Sequence, residues 1–142
     1  MYNSILVPVD IIEKDLTQKV IPHVEYLAKL SNANVKFFHV LPISSAIINA
    51  YSFGMDEFKD QATVQAENWL KKLIHEIDLP KETLSYSLAF GNPRDEILTI
   101  AEEIQPDLII IGSRRPNISN HLLGSNAAGI VRHAKMSVLV IR

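Results

Sequence analysis

Short apolar runs alternate along the chain with longer stretches in which apolar residues recur every three or four positions. The short runs predict strands buried in a sheet, and the periodic stretches predict amphipathic helices. The predicted strands are 4–9, 34–40, 84–90, 106–113 and 137–142. The predicted helices run from an Asp15 cap to Leu30, over 56–77, from an Asn92 cap to Ile104, and over 125–133. This alternation predicts an α/β fold, with a parallel sheet and helices on both of its faces.

Local signals refine two of these helices. Asp15 is predicted to cap the first helix as part of a capping box, and Pro22 is predicted to kink that helix or delay its start. Asn92, followed by Pro93 and two acidic residues, predicts the start of the third helix. Residues 41–55 have no clean period, which predicts an irregular segment that is either mobile or part of an interface.

Composition and charge narrow the classes of function. The 142 residues predict one domain, residues 1–142. The net charge of −2 disfavours a nucleic-acid partner, because general nucleic-acid binding needs a basic surface. The absence of cysteine excludes disulfides, thiolate metal sites and a cysteine nucleophile. Without a basic leader or an apolar run of roughly 18 residues, we expect a cytoplasmic protein with no membrane partner.

The residues that follow the first and fourth strands are predicted to share one ligand crevice. In open parallel sheets, ligands bind beyond the carboxyl ends of the strands where the strand order reverses. The segments 8–10 and 112–115 follow the two strands that are natural neighbours at such a reversal. Gly112 permits close contact with a sugar or base, and Asp10 can accept hydrogen bonds from ribose hydroxyls.

The start of the last predicted helix offers an anion site beside this crevice. Free backbone N–H groups and the positive end of the helix dipole favour an anion there. Gly124 would let the anion approach, while Ser125 and Asn126 can each cap the helix or donate to an oxygen. Arg114 and Arg115 carry forked guanidinium groups that suit phosphate. The sequence thus predicts a nucleotide site with a sugar end and a phosphate end.

A plainer interpretation of the same residues stays open. Glycines after a strand are typical of turns, and a Ser-Asn pair before a helix is typical of a cap. The two arginines could be a solvated pair, and Asp10 could cap a local turn. Neither a P-loop nor a G-x-G-x-x-G fingerprint is present. The histidines have no metal-ligand spacing, His39 is interpreted as a core residue, and no residue is predicted to be catalytic.

Three segments together resemble the universal stress protein family: "ILVPVD", "PDLIIIGSRRP" and "LLGSNAAGIVRHAKMSVLVIR". The resemblance runs in order along essentially the whole chain and is closest to the small single-domain F-type bacterial members. It implies a flavodoxin/Rossmann-like fold with five parallel strands in the order 3-2-1-4-5. It also implies a role in stress response and a homodimer through the C-terminal strand, with a higher oligomer left open.

The resemblance further implies binding of an adenine nucleotide, ATP or alternatively ADP or AMP, which Mg²⁺ can accompany. The adenine and ribose end would be lined by Pro8, Val9, Asp10 and Val40. The ribose and first phosphate would be followed by Gly112, Ser113 and Arg114. The outer phosphates would meet Gly124, Ser125 and Asn126.

Arg115 departs from the family pattern. ATP-binding members carry G-x-x-G, nine residues, then G-[ST]; here Arg115 replaces the second glycine, and eight residues separate it from Gly124. We expect Arg115 to add a cation to the phosphate site rather than fill it, because arginine is a good phosphate partner. Two alternatives stay open: a slow ATPase, and a dimeric interaction protein that binds no nucleotide and acts through its dimer and the segment 41–55.

Overall fold

The computed structural model describes residues 1–42, 56–114 and 123–142. Within these ranges the strands are β1 (Ser4–Pro8), β2 (Asn34–Leu41), β3 (Leu84–Phe90), β4 (Leu108–Gly112) and β5 (Ser137–Ile141). The helices are α1 (Lys14–Ser31), α2 (Asp56–Glu76), α3 (Pro93–Ile104) and α4 (Ser125–His133), with a 3₁₀ turn at Lys81–Thr83. The strands form one parallel sheet in the order β3-β2-β1-β4-β5, which confirms the predicted fold class and strand order.

The two faces of the sheet bury separate cores. Along β1, Ile5 and Val7 face one core together with residues of α1 and α2, and Leu6 faces the other together with residues of α3 and α4. Because β1 is central and covered on both faces, its four buried residues, Ile5 to Pro8, are all apolar rather than alternating with polar ones. Ile109 and Ile110 of β4 divide between the two cores in the same way.

Helix α1 begins earlier than predicted. Its N-cap is Glu13 rather than Asp15, which lies in the first turn, so the predicted cap is wrong. The turn after β1 is the cause, since the backbone N–H of Glu13 donates to the carbonyl of Asp10 at 3.1 Å and directs the chain into the helix. Pro22 does not delay the start of α1, which begins at Lys14 and continues through Pro22 to Ser31. Val20 and Val24, on either side of Pro22, are buried in the core.

The start of α3 is as predicted. Asn92 is its N-cap and accepts a hydrogen bond from the backbone N–H of Asp95 at 3.2 Å, with Pro93 in the first turn. This cap satisfies one of the donors that every helix start leaves unpaired. It thereby fixes the end of α3 that faces the carboxyl edge of the sheet.

An ion pair joins α1 to the turn that follows α2. Lys29 and Asp78 lie 2.5 Å apart (Nζ to Oδ2), and both side chains are exposed. The hydrogen bond between them raises the pKa of Lys29 and lowers the pKa of Asp78. None of the helices in the described part of the chain has the length and hydropathy needed to span a membrane.

Candidate functional site

A cavity of about 570 Å³ opens at the carboxyl ends of β1 and β4, where the strand order reverses. The predicted site residues that line it are Pro8, Val9, Asp10, Val40, Gly112, Arg114, Gly124, Ser125 and Asn126. Ser113 lies buried next to this lining, and Arg115 lies outside the described residues. The fold therefore brings together predicted site residues that are as much as 118 positions apart in the sequence, from Pro8 to Asn126 (126 − 8 = 118).

One end of the cavity is apolar. Phe38 and Val40 of β2 are buried on the same face of the sheet as Ile111 of β4, and all three line the cavity. Ile97 of α3 packs against the same core and lines the cavity as well. A recess of this kind suits a flat aromatic or aliphatic group.

Asp10 lies at the rim beyond β1, where it both stabilises a turn and faces the cavity. Its Oδ1 accepts a hydrogen bond from the backbone N–H of Ile12 at 2.9 Å, as the plainer interpretation of this residue predicted. Its Oδ2 has no hydrogen-bond partner among the residues that the structure describes, and the side chain is exposed. The turn thus holds the carboxylate in place while one oxygen is left to accept from a ligand.

Gly112 packs closely against α1. A Cβ atom at this position would lie 2.5 Å from Cγ of Leu16, well inside van der Waals contact. The predicted reason for this glycine, close contact with a sugar or base, is therefore incomplete. Its small size is needed for the packing of α1 against β4, and the cavity begins beside that contact.

Gly124 is the N-cap of α4 and is held by the residues that follow β4. Its backbone N–H donates to Oγ of Ser113 at 3.0 Å, and the N–H of Ser113 in turn donates to the carbonyl of Ile141 at 2.7 Å. A Cβ atom on Gly124 would lie 3.0 Å from the carbonyl oxygen of Arg114. These contacts fix the start of α4 against the end of the sheet.

The start of α4 leaves donors open within the described ranges. Its N-cap, Gly124, has no side chain to cap it, and no described residue accepts from the backbone N–H groups of Ser125, Asn126 and Ala127. All three residues line the cavity. The N–H groups and the helix dipole together make this end of the cavity favourable for an anion.

Arg114 forms an ion pair across the cavity lining. Its Nε lies 3.2 Å from Oε1 of Glu13, the N-cap residue of α1, and both residues line the cavity. The Arg114 side chain is 78% exposed and that of Glu13 is 31% exposed. The guanidinium group is therefore accessible to a ligand but already has a carboxylate partner.

His39 supports the cavity wall from the core of the protein. It is buried, and its Nδ1 lies 3.0 Å from the carbonyl oxygen of Val9. Because a carbonyl only accepts, Nδ1 carries the proton in this bond. The Nε2 atom has no partner in the described part of the chain, and the ring meets Trp69 edge to face at 6.1 Å. His39 is a core residue, as predicted, but the expectation that its polar atoms are satisfied is met only at Nδ1 among the described residues.

A model described as the universal stress protein family matches residues 1–142. The chain belongs to the universal stress protein family. Universal stress protein G of Shigella flexneri is 38% identical to it over 144 residues, covering 100% of both chains. Universal stress protein MJ0577 of Methanocaldococcus jannaschii is 26% identical over 157 residues, covering 100% of this chain and 96% of that one.

Solved structures of universal stress proteins share the fold. The structure of MJ0577 has a TM-score of 0.80 at 26% identity, covering 99% of this chain and 96% of that one. A universal stress protein from Archaeoglobus fulgidus, solved in complex with dAMP, has a TM-score of 0.64 at 23% identity. The match covers 99% of this chain and 98% of that one. The second likeness is evidence for the fold alone.

Several lining residues of this universal stress protein were not predicted from its sequence. They are Glu13, Leu16, Thr17, Val20, Phe38, Pro93, Ile97, Ile111, Leu123 and Ala127. Most of them come from helices and strands whose periodicity marks them only as core. Nothing in the spacing distinguishes a core residue that borders a void, because the void is created by how α1 and α3 pack on the sheet.

Proposed function

We propose that this universal stress protein binds an adenine nucleotide in the cavity and acts in a stress response through nucleotide-linked sensing or partner binding. The observation that carries the proposal is one cavity with an apolar recess, a carboxylate at its rim and open helix donors at its other end. A base, a ribose and a phosphate need those three surroundings in that order. The volume of about 570 Å³ also falls within the range of small-molecule sites, roughly 300–1,000 Å³.

The apolar recess would hold the adenine ring. Val40 and Phe38 offer apolar surface from β2, and Ile97 offers it from α3. Pro8 and Val9 would border the ring from the end of β1, where the bond from His39 to the Val9 carbonyl keeps the backbone in place. The Oδ2 of Asp10, which has no hydrogen-bond partner among the described residues, would accept hydrogen bonds from the ribose hydroxyls.

The phosphates would lie between the end of β4 and the start of α4. The ribose and first phosphate would lie along Gly112, Ser113 and Arg114. The Ser113 hydroxyl would contribute indirectly, because it accepts the hydrogen bond that holds Gly124 at the start of α4. The N–H groups of Ser125 and Asn126 would donate to the outer phosphates. Arg115, which lies outside the described residues, is proposed from the sequence alone to add a cation, and Mg²⁺ would accompany the phosphate chain.

A family member solved with a related ligand is consistent with this proposal. The Archaeoglobus fulgidus universal stress protein holds dAMP, an adenine mononucleotide. That protein shares the fold of this chain, so a ligand of the same chemical class is the natural one to test first.

Calorimetric titration of the purified protein with ATP, with and without Mg²⁺, tests the proposal. We expect saturable binding that Gly124→Val abolishes, because the added side chain would lie against the Arg114 backbone and over the phosphate position. Ser125→Ala keeps the backbone N–H but removes the hydroxyl, which would also donate to a phosphate oxygen, and should weaken binding by about fivefold, the loss of that one hydrogen bond. Ser137→Ala, also at an exposed serine but at the start of β5, is the matched control and should bind as the native chain does.

Absence of binding by the native chain would contradict the proposal. If Arg115→Gly then restored binding, Arg115 would be a block on the site rather than a phosphate ligand. Rapid phosphate release during the titration would instead indicate an ATPase.

We further propose that the protein is a homodimer through β5. This strand is at one edge of the described sheet, and its residues Val138, Leu139 and Val140 are only half-buried. An apolar edge strand with unpaired backbone groups favours pairing with a second copy.

A further inference from the structure

The ion pair between Glu13 and Arg114 bears on which nucleotide the cavity prefers. Among the described residues that line the cavity, the charged side chains are Asp10, Glu13 and Arg114. Two carboxylates therefore face one guanidinium group, and the described lining carries a net charge of −1 (1 − 2 = −1). A cavity built to hold a long polyphosphate would be expected to carry positive charge instead.

Arg114 is the cation in this lining that a phosphate could recruit. Its backbone lies against Gly124, at the start of the helix that offers open donors, while its side chain reaches Glu13 on α1. A phosphate at that helix start would have to share the guanidinium with Glu13 or displace the carboxylate. Because Arg114 is 78% exposed, its side chain has room to leave the ion pair.

Resting on the proposed function, we propose that Glu13 is a specificity-determining residue that lowers the affinity for ATP relative to AMP. Two effects of the carboxylate act in the same direction. It holds the guanidinium that a phosphate chain needs, and its own charge repels the chain. Both effects grow with the charge of the ligand, and ATP carries about two more negative charges than AMP at neutral pH.

Glu13→Gln tests this inference with adenosine, AMP and ATP as the three probes, at low ionic strength and without Mg²⁺. We expect the ATP affinity to rise by about fivefold, the AMP affinity by about twofold, and the adenosine affinity to stay unchanged. The gain for ATP should shrink as salt is added, because screening weakens exposed charge pairs.

Glu102→Gln is the matched control. Glu102 forms an exposed ion pair with Lys135, with Nζ and Oε1 3.0 Å apart, and it does not line this cavity. The control should leave the ATP-to-AMP affinity ratio at its native value. The thermal unfolding temperature of each variant shows whether the fold is kept.

A second variant separates competition for the guanidinium from charge repulsion. In an Arg114→Gln background, Glu13→Gln should raise the ATP affinity less than it does in the native chain, because no guanidinium is left to release. An equal gain in both backgrounds would show that Glu13 does not act through Arg114. It would contradict the part of the inference in which Glu13 competes with the phosphate for the guanidinium group.

The outcomes distinguish this inference from the proposed function. If the native chain binds ATP and Glu13→Gln leaves the ATP-to-AMP ratio unchanged, the inference is wrong and the proposed function stands. If neither chain binds any of the three probes, the proposed function is wrong and the inference falls with it.

Discussion

Gly112 and Gly124 both border the cavity, but a larger side chain would be excluded from each position by a different neighbour. At Gly112 the obstacle is the Leu16 side chain, which belongs to α1. At Gly124 the obstacle is the backbone of Arg114, which cannot move without disturbing the end of β4. A substitution at Gly112 therefore affects the packing of a helix, whereas one at Gly124 affects the cavity directly.

Gly112→Ala should destabilise the protein by about 1–3 kcal/mol, the usual cost of overpacking a core contact. The added methyl group would lie 2.5 Å from Cγ of Leu16 and would force α1 away from β4. Urea unfolding of both chains measures the difference in the free energy of unfolding.

Removing the Leu16 side chain provides the control for that prediction. In a Leu16→Ala background, the methyl group has room, and Gly112→Ala should cost well under half as much. An equal cost in both backgrounds would show that the backbone conformation, rather than the contact with Leu16, requires glycine.

At the level of single residues, the sequence predicted many of the residues that line the cavity but not which side chains they contact. For Asp10 the sequence offered two alternatives, a ligand contact at the rim or a local turn; the structure shows the turn and also places the residue in the cavity lining. The ion pair of Arg114 with Glu13 could not be expected, since the two residues are 101 positions apart and only the fold brings them together (114 − 13 = 101).

Among the helices, α3 and α1 show when a cap can be read from sequence. Asn92 precedes a proline and two acids, and each of these signals favours the same start. At α1 the Asp15 signal competes with the turn after β1. The backbone hydrogen bond from the Glu13 N–H to the Asp10 carbonyl places the N-cap at Glu13, two residues before Asp15. Cap signals therefore predict a helix start where no tertiary turn precedes it closely.

Asn92→Ala should lower the free energy of unfolding by about 1 kcal/mol, because the backbone N–H of Asp95 loses its acceptor. Asn92→Asp keeps an acceptor oxygen and should be close to neutral. Chemical denaturation of the native chain and the two variants measures both effects. A loss as large for Asn92→Asp as for Asn92→Ala would show that the hydrogen bond is not what Asn92 contributes.

For the molecule as a whole, the alternating pattern predicted the sheet and its layers, and the family resemblance supplied the strand order. The same pattern could not give the shape of the cavity, because that shape depends on the distance between α1, α3 and the sheet. The irregular segment 41–55 was the least predictable part, and its residues 43–55 lie outside those described.

Val140→Pro tests the proposed dimer. Ile141 directs its carbonyl to Ser113 beyond β4, so the backbone groups of Val140, one residue earlier, point to the open edge of the sheet. Proline there removes an N–H that would donate to the second copy, and a symmetric dimer loses this bond twice. We expect the dimer to dissociate about thirtyfold more readily, measured by analytical ultracentrifugation, while each copy stays folded.

Leu88→Pro on β3, at the opposite edge of the sheet, is the control and should leave the assembly intact. Dissociation by Leu88→Pro and not by Val140→Pro would assign the interface to the other edge.

The hydrogen bond from the Gly124 N–H to the Ser113 hydroxyl ties together the two ends of residues 114–123. Because these ends are tied whatever lies between them, a longer connection would cost little entropy, since each doubling of a loop adds only about 0.6 kcal/mol. Insertions, deletions or charge changes between Ser113 and Gly124 should therefore leave the start of α4 in place. The departure from the family pattern at Arg115 is a change of this kind.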